Sequence, residues 1–508
     1  MKKLISLILS VLLILLPLFS VSAIDAGKNN YPVIMVEGRD KDKPLYDAQG
    51  NKIFPLNIEK DYILDAVKDC LPYLGKGLVT GNLEPWAEKV AEYFVPLYKD
   101  IVPDENGYIS DGSHPSNPNS GKDTELIGWG NGIEYNFKYD WRSDPYDVVD
   151  NLEGYIETIK EKCNTDKVSL VCRCYGAAII TAYLDKYGHD EIDTVIYYCA
   201  LEKGCGLSAK SFSGNYEINP LAAQRYFDEN DIIDDELLTE LIRSSLHYLN
   251  SVYGLDLTLD MFTKLVNEKF YPALAPKILP DTLGSFTCFW AMCDDESYYK
   301  AKELIFGGQE EKYASFIDRI DRYHEAQTNL ENMLTQYRNE GLKLGVIAKY
   351  NFQMAPLFKN NLAQSDQIVE LNLASMGAVA ADYGSVLSDE YVASRPAEYI
   401  SPDHIVDAST CAFPECTWFI KNLTHSKFAG CADRMMADIC KTDRQVTVDD
   451  FEQYPRFLIY NSNDTLSPLV CEKETEYKAR EHNIFKTFDR FIKAVIAFIK
   501  SYLNKTEA

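Results

Sequence analysis

Apolar residues along the chain fall into short β-branched blocks separated by longer stretches with a helical period. The first clear block is YPVIMVEG at 31–38, which predicts a buried strand running into a tight glycine loop. From 39 to about 125, helical periods at 63–71 and 86–98 alternate with a polar Gly/Ser/Pro/Asn stretch, 103–121, that predicts loop. The tetrad YDWR at 139–142 precedes an amphipathic helical pattern at 146–163. The run KVSLVCRCYGAA at 167–178 then predicts a strand, a tight turn centred on Cys174 and a helix opening at Gly176. Another buried strand, TVIYYC, follows at 194–199. Strands alternating with helices at this spacing imply an α/β fold with a mainly parallel sheet covered on both faces.

Between 207 and 341 the pattern becomes helical (236–252, 258–269, 295–306, 310–340) without a convincing strand, which predicts a helical cap inserted into the sheet domain. The sheet pattern resumes with KLGVIAKY at 343–350 and TWFIKN at 417–422. The expected organisation is a core from 24–206 and 342–441, a cap at 207–341 and a C-terminal extension at 442–508. The extension holds one further strand pattern at 457–460 and an amphipathic helix from about 484 to 503.

Residues 1–23 begin with Lys2 and Lys3, continue through an apolar run and end in small residues, the pattern of a cleaved secretory signal. A secreted or cell-surface location is therefore expected. The formal net charge of −26 argues against nucleic acid as a partner. Thirteen cysteines, an odd number, leave at least one unpaired within the monomer. The close pairs Cys199/Cys205, Cys288/Cys293, Cys411/Cys416 and Cys431/Cys440 lack zinc-ribbon spacing, so neither a metal nor another cofactor is expected.

The chemistry concentrates at 168–178. Strand, sharp turn and helix are the setting of a nucleophile elbow, written G-x-S-x-G, and here the five positions read Cys172, Arg173, Cys174, Tyr175 and Gly176. A cysteine nucleophile suits the place, because the helix N-terminus beyond it favours a thiolate. Of seven histidines, His425 has the setting of the base: it follows the strand 417–422 and precedes a helical pattern at 432–441. The acid should follow the strand 343–350. Asp366, in SDQIVELNLAS at 365–375, fits best, with Asp403 as the alternative acid and Asp464 third. The expected oxyanion hole combines the backbone N–H of Tyr175 with one from the Gly38–Arg39 loop.

Taken together, the 32–38 strand, the YDWR tetrad, the elbow and the Asp366 and His425 loops resemble the lecithin:cholesterol acyltransferase-like branch of the α/β-hydrolases, which includes bacterial lipases and esterases. The resemblance covers about half of the chain and leaves the cap and extension unmatched. It implies an α/β-hydrolase fold and hydrolysis or transfer of acyl groups from lipid-like esters through an acyl-enzyme. Two positions depart from it: cysteine replaces serine at 174, and Arg173 stands where relatives usually carry histidine. Dienelactone hydrolases carry an elbow cysteine in this fold. The alternative expectation is a catalytically inactive hydrolase-fold protein that binds a ligand or partner at the cell surface. The 484–503 stripe, with Lys486, Lys493 and Lys500 recurring every seven residues, fits docking on the body or peripheral membrane contact.

Overall fold

A computed structural model describes residues 31–38, 44–109, 112–115, 129–217, 219–230, 235–252, 255–471 and 483–506. The segment read as a signal, 1–23, and residues Arg39 and His482 lie outside them. The centre is an eight-stranded sheet: β1 (Val33–Val36), β2 (Tyr135–Phe137), β3 (Val168–Cys174), β4 (Ile192–Ala200), β5 (Lys343–Tyr350), β6 (Thr417–Lys421), β7 (Phe457–Asn461) and β8 (Thr465–Pro468). Their order across the sheet is β8-β7-β6-β5-β4-β3-β1-β2, parallel throughout except for β8. This is the mainly parallel sheet the apolar blocks predict. β1 and β5 are buried at every position, which is why they read as unbroken apolar runs instead of alternating ones.

Two helices fix the site end of the sheet. α1 (Pro145–Cys163) starts where the Asp144 carboxylate accepts from the Tyr146 N–H, with proline in the first turn, and stops at Asn164 in a left-handed conformation. Its buried stripe is Tyr146, Val148, Val149, Leu152, Ile156 and Ile159. α2 (Gly176–Tyr187) buries every residue from Gly176 to Leu184, so it is a core helix and carries no amphipathic signal.

Between β4 and β5 the regular elements are helical, from Gly206–Ser213 to Leu330–Asn339, with no strand among the described residues. The insertion has its own apolar centre around Trp290, Tyr298, Phe306 and Phe316. It includes α3 (Glu236–Ser251). The 310–340 pattern is two helices, Ala314–Thr328 and Leu330–Asn339, meeting at Asn329. Asparagine favours helix ends over interiors, which explains the break.

The sheet does not stop at residue 441. After α4 (Gly430–Cys440), β7 adds in parallel to β6, pairing Phe457 with Phe419, and β8 folds back on it antiparallel. The chain ends in α5 (Ile484–Thr506), which docks on α3. Tyr248 meets the rings of Phe488 and Phe491 at 5.2 and 5.5 Å, and Arg490 forks onto Glu240 at 2.7 and 2.8 Å. None of the described helices is long and apolar enough to cross a membrane.

The YDWR tetrad joins these parts. Arg142 is fully buried and binds Asp140, the Ser113 hydroxyl at 2.6 Å and the Ile101 carbonyl at 3.3 Å. Tyr139 donates to the Glu37 carbonyl at 2.8 Å, holding the loop after β1, and Trp141 stacks on Phe286 of the insertion at 5.8 Å.

Candidate active site

β3 ends at Cys174, whose φ of 55° is the left-handed conformation that a non-glycine residue adopts at a cost. The surrounding backbone imposes it. A Cβ on Gly176 would lie 2.2 Å from the Val36 carbonyl oxygen, so α2 reaches this close to β1 only because residue 176 is glycine. Gly38 presses on the elbow from the other side: a Cβ there would stand 2.4 Å from the Cys174 Cβ and 2.8 Å from the Arg173 carbonyl oxygen. The loop after β1 is therefore beside the nucleophile position, within reach of a group bound there. Gly38→Ala is expected to cost about 1–3 kcal/mol through this overpacking, read as a lower urea midpoint with unchanged slope.

His425 and Asp366 meet at the same end of the sheet. The imidazole Nδ1 and the Asp366 Oδ2 are 2.7 Å apart, and the His425 N–H donates to the Asp366 carbonyl at 2.8 Å, so the two loops are tied by backbone as well as side chain. The other Asp366 oxygen accepts from the N–H groups of Ile368 and Val369 at 3.1 and 2.9 Å. Nε2 of His425 is buried with no hydrogen-bond partner, and the ring acts on the Cys174 thiol. Burial pushes that thiol up, but the charge of His425 and the Tyr175 N–H outweigh it, and Cys174 ends below its ordinary value. For His425, burial works downward, and the neighbouring Asp366, Cys174 and Cys199 hold the imidazolium well above its usual range. Asp366 is raised by burial and lowered more strongly by His425 and Lys349, so it is ionised. All three shifts run in the direction that favours thiolate, imidazolium and carboxylate.

Cys174, Asp366 and His425 are thus brought together, and Tyr175 and Gly38 flank them. Asp403 is elsewhere, engaged by the Lys421 ammonium at 3.0 Å and the Tyr350 and Ser401 hydroxyls at 3.1 and 2.6 Å. Its neighbours leave it no route to the imidazole, and that corrects its candidacy as acid. Asp464 lies in the turn between β7 and β8. His189, His247 and His324 pair with Glu340, Asp228 and Asp295 away from the elbow. All thirteen cysteines are free thiols.

Two residues of the site escaped the reading by motif. Cys199, at the end of β4, places its sulfur within 4.8 Å of the Asp366 oxygen and a His425 ring nitrogen. Lys349, fully buried near the end of β5, donates to the Thr424 carbonyl at 3.2 Å and lies 4.4 Å from the centre of the Tyr198 ring. Burial alone would pull the Lys349 pKa down, yet Cys199, Tyr198 and Asp366 hold it above normal. A charged lysine in a buried strand is a visible signal in KLGVIAKY, and a cysteine closing the strand after the elbow is another. The Cys199, Asp366 and His425 donors could in principle hold a cation, but a buried ammonium acting on the same carboxylate opposes one. The set suits movement of a proton better.

Trp141, Phe286 and Phe289 pack together at ring separations of 5.7–6.4 Å. Two surface cavities of about 490 and 740 Å³ lie elsewhere, one by Asp193 and Arg338, the other between α3 and α5. Cys174 is half-buried under its neighbours.

No family model matches the chain, and no curated protein matches it. Two solved structures are similar in part. One is a chain of the Tle4–Tli4 complex, 11% identical over 63% of this chain and 75% of that one, with a TM-score of 0.23. The other is an esterase, RhEst1 from Rhodococcus sp. ECU1013, 11% identical over 54% of this chain and 78% of that one, with a TM-score of 0.15. At these TM-scores neither likeness carries an activity over to the chain.

Proposed function

We propose that this α/β protein cleaves or transfers acyl groups from esters, with Cys174 as nucleophile, His425 as acid and base, and Asp366 as the group that orients the imidazole. The observation that carries the reading is the His425–Asp366 contact at 2.7 Å, with the second ring nitrogen unpartnered and the ring acting on a thiol at a strained strand–helix turn.

The steps follow from those positions. The Cys174 thiolate adds to the ester carbonyl carbon, and the Tyr175 N–H, joined by a donor from the loop after β1, stabilises the oxyanion. His425 gives its Nε2 proton to the departing alkoxide as the carbon–oxygen bond breaks, leaving a thioester and a neutral imidazole. A water molecule, or an acceptor alcohol in a transferase, then loses its proton to His425, attacks the thioester and releases the thiolate.

Export and lipid contact are parts of the same proposal. α5 keeps Phe485 83% exposed while its other face docks on α3, which supports peripheral contact with a membrane surface. The half-buried position of Cys174 favours the second reading, a catalytically inactive protein that binds a partner.

One experiment separates the two. The purified chain is assayed under reducing conditions on p-nitrophenyl esters of short and long acyl chains, and intact mass is followed during turnover. Turnover with an acyl adduct mapped to Cys174 is expected. Absence of turnover on every chain length, with no adduct, would overturn the reading in favour of the binding protein.

A further inference from the structure

The pairing of β3 with β4 is irregular at its site end. Arg173 stands opposite Tyr198 and Cys174 opposite Ala200, so Cys199 is the extra residue of a bulge beside the nucleophile position. Cys199 has a φ of 39° next to Cys174 at 55°, two left-handed non-glycine residues on neighbouring strands. Adjacent strands lie ~4.8 Å apart, so the Cys199 backbone is a direct strand neighbour of the elbow. The two thiols also share one imidazole: His425 acts on Cys174, and a ring nitrogen of the same residue is within 4.8 Å of the Cys199 sulfur. Their exposures differ. Cys174 is partly reachable from outside, whereas Cys199 is fully buried behind it.

We propose that Cys174 and Cys199 form a hydroperoxide-reactive dithiol, in which Cys174 takes the oxidant and Cys199 resolves the product as a reversible disulfide. The Cys174 thiolate attacks one oxygen of hydrogen peroxide, the O–O bond breaks, and the departing hydroxide takes one proton from the His425 imidazolium and leaves as water. Sulfur loses two electrons and becomes a sulfenic acid. The Cys199 thiol, passing its proton to the now neutral His425, then attacks that sulfur. The S–O bond breaks, the hydroxyl leaves as a second water, and the S–S bond forms. A thiol reductant restores both groups.

Other thiols near the elbow are poorer partners. Cys172 is fully buried and directed to the Ile196 carbonyl at 3.5 Å, and burial raises its thiol far above normal. Burial likewise raises Cys205. Lys349 brings a positive charge beside Cys199.

The inference shares its nucleophile with the acyl-transfer reading but needs no ester, so the two can fail separately. The full-length protein, reduced and freed of reductant, is treated with hydrogen peroxide at one and ten equivalents. It is then digested without reduction and mapped by mass spectrometry, with dimedone present in parallel to trap sulfenic acid. The expected result is one linked peptide pair, Cys174 with Cys199, lighter by two hydrogens, reversed by dithiothreitol and with little dimedone on Cys174. Cys199→Ser should abolish the link and leave Cys174 as the dimedone-labelled residue. Dimedone persisting on Cys174 in the unmutated chain, a link to Cys172, Cys205 or Cys288 instead, or no oxidation of Cys174 at ten equivalents would each overturn the proposal. Ester turnover of the reduced protein is recorded beside it. A link formed without turnover would sink the acyl-transfer reading alone.

Discussion

Cys174→Ala is expected to lower p-nitrophenyl ester turnover by about 10³-fold or more, and His425→Ala by about 10²–10⁴-fold, with both proteins folded. The effects should not add. Once the thiol is gone the imidazole has nothing to activate, so the double variant should match Cys174→Ala. The geometry also sets the pH profile. Cys174 is held below its ordinary thiol value and His425 well above 6.5, and both shifts favour the reactive ion pair. The rate of kcat/KM should rise with pH through the lowered thiol pKa and fall through the raised imidazolium pKa. Asp366→Asn removes the charge that raises His425, and the alkaline limb should move to lower pH while the rate falls by up to about 10⁴-fold. An alkaline limb that stays in place would show that Asp366 does not support the imidazolium. Activity unchanged in both alanine variants would put the chemistry somewhere other than the elbow.

Glu202→Gln is expected to stabilise the protein, by about 3 kcal/mol at pH 7. Glu202 follows β4 and is fully buried, and neither carboxylate oxygen makes a hydrogen bond within the protein. The nearest cation in sequence, Lys203, is drawn to Glu331 at 3.1 Å. Burial therefore pushes the Glu202 carboxyl up from 4.5 to about 8. Because the folded-state pKa is the higher one, the stability this carboxyl contributes is complete below about pH 4.5. It is lost progressively as pH rises through about 8, because the unfolded chain can ionise the group and the folded chain resists. The neutral amide removes that penalty. Urea unfolding at pH 5 and pH 8 tests it: the two proteins should nearly coincide at pH 5 and diverge at pH 8, the variant being more stable. Equal stability at pH 8 would mean that Glu202 is ionised and solvated in the folded chain.

The parts legible in the sequence are those where local pattern and tertiary role agree. VIMV, KLGVIAKY and TWFIK read as buried strands because parallel strands bury both faces, and CRCYG read as a turn because its small residues stand where two backbones nearly touch. Asp366 and His425 were legible through chain order, each lying after a core strand. Asp403 misled because an aspartate before a β-branched pair looks the same whether it meets an imidazole or, as here, the Lys421 ammonium. Cys199 and Lys349 were hidden for a related reason. The residue types stand out in their strands, but their roles depend on a bulge and on strands and loops distant in sequence, which no local spacing encodes. The short cap helices, such as Pro220–Glu229 and Thr287–Ala291, leave too few turns for a helical period to emerge.

The β7–β8 hairpin has a consequence for how the chain can be divided. β7 covers the flank of β6, whose residues Thr417 to Lys421 are all buried, and β8 then closes the series with only four residues, short and partly exposed. A chain cut after α4 would keep Cys174, Asp366 and His425 but bare a row of unpaired backbone donors and acceptors along β6, beside Trp418, Phe419 and Ile420. Such an edge recruits strands from other molecules. Residues 457–468 therefore guard the half of the protein that carries the proposed site against aggregation, and a chain trimmed to that half would be expected to form intermolecular sheets.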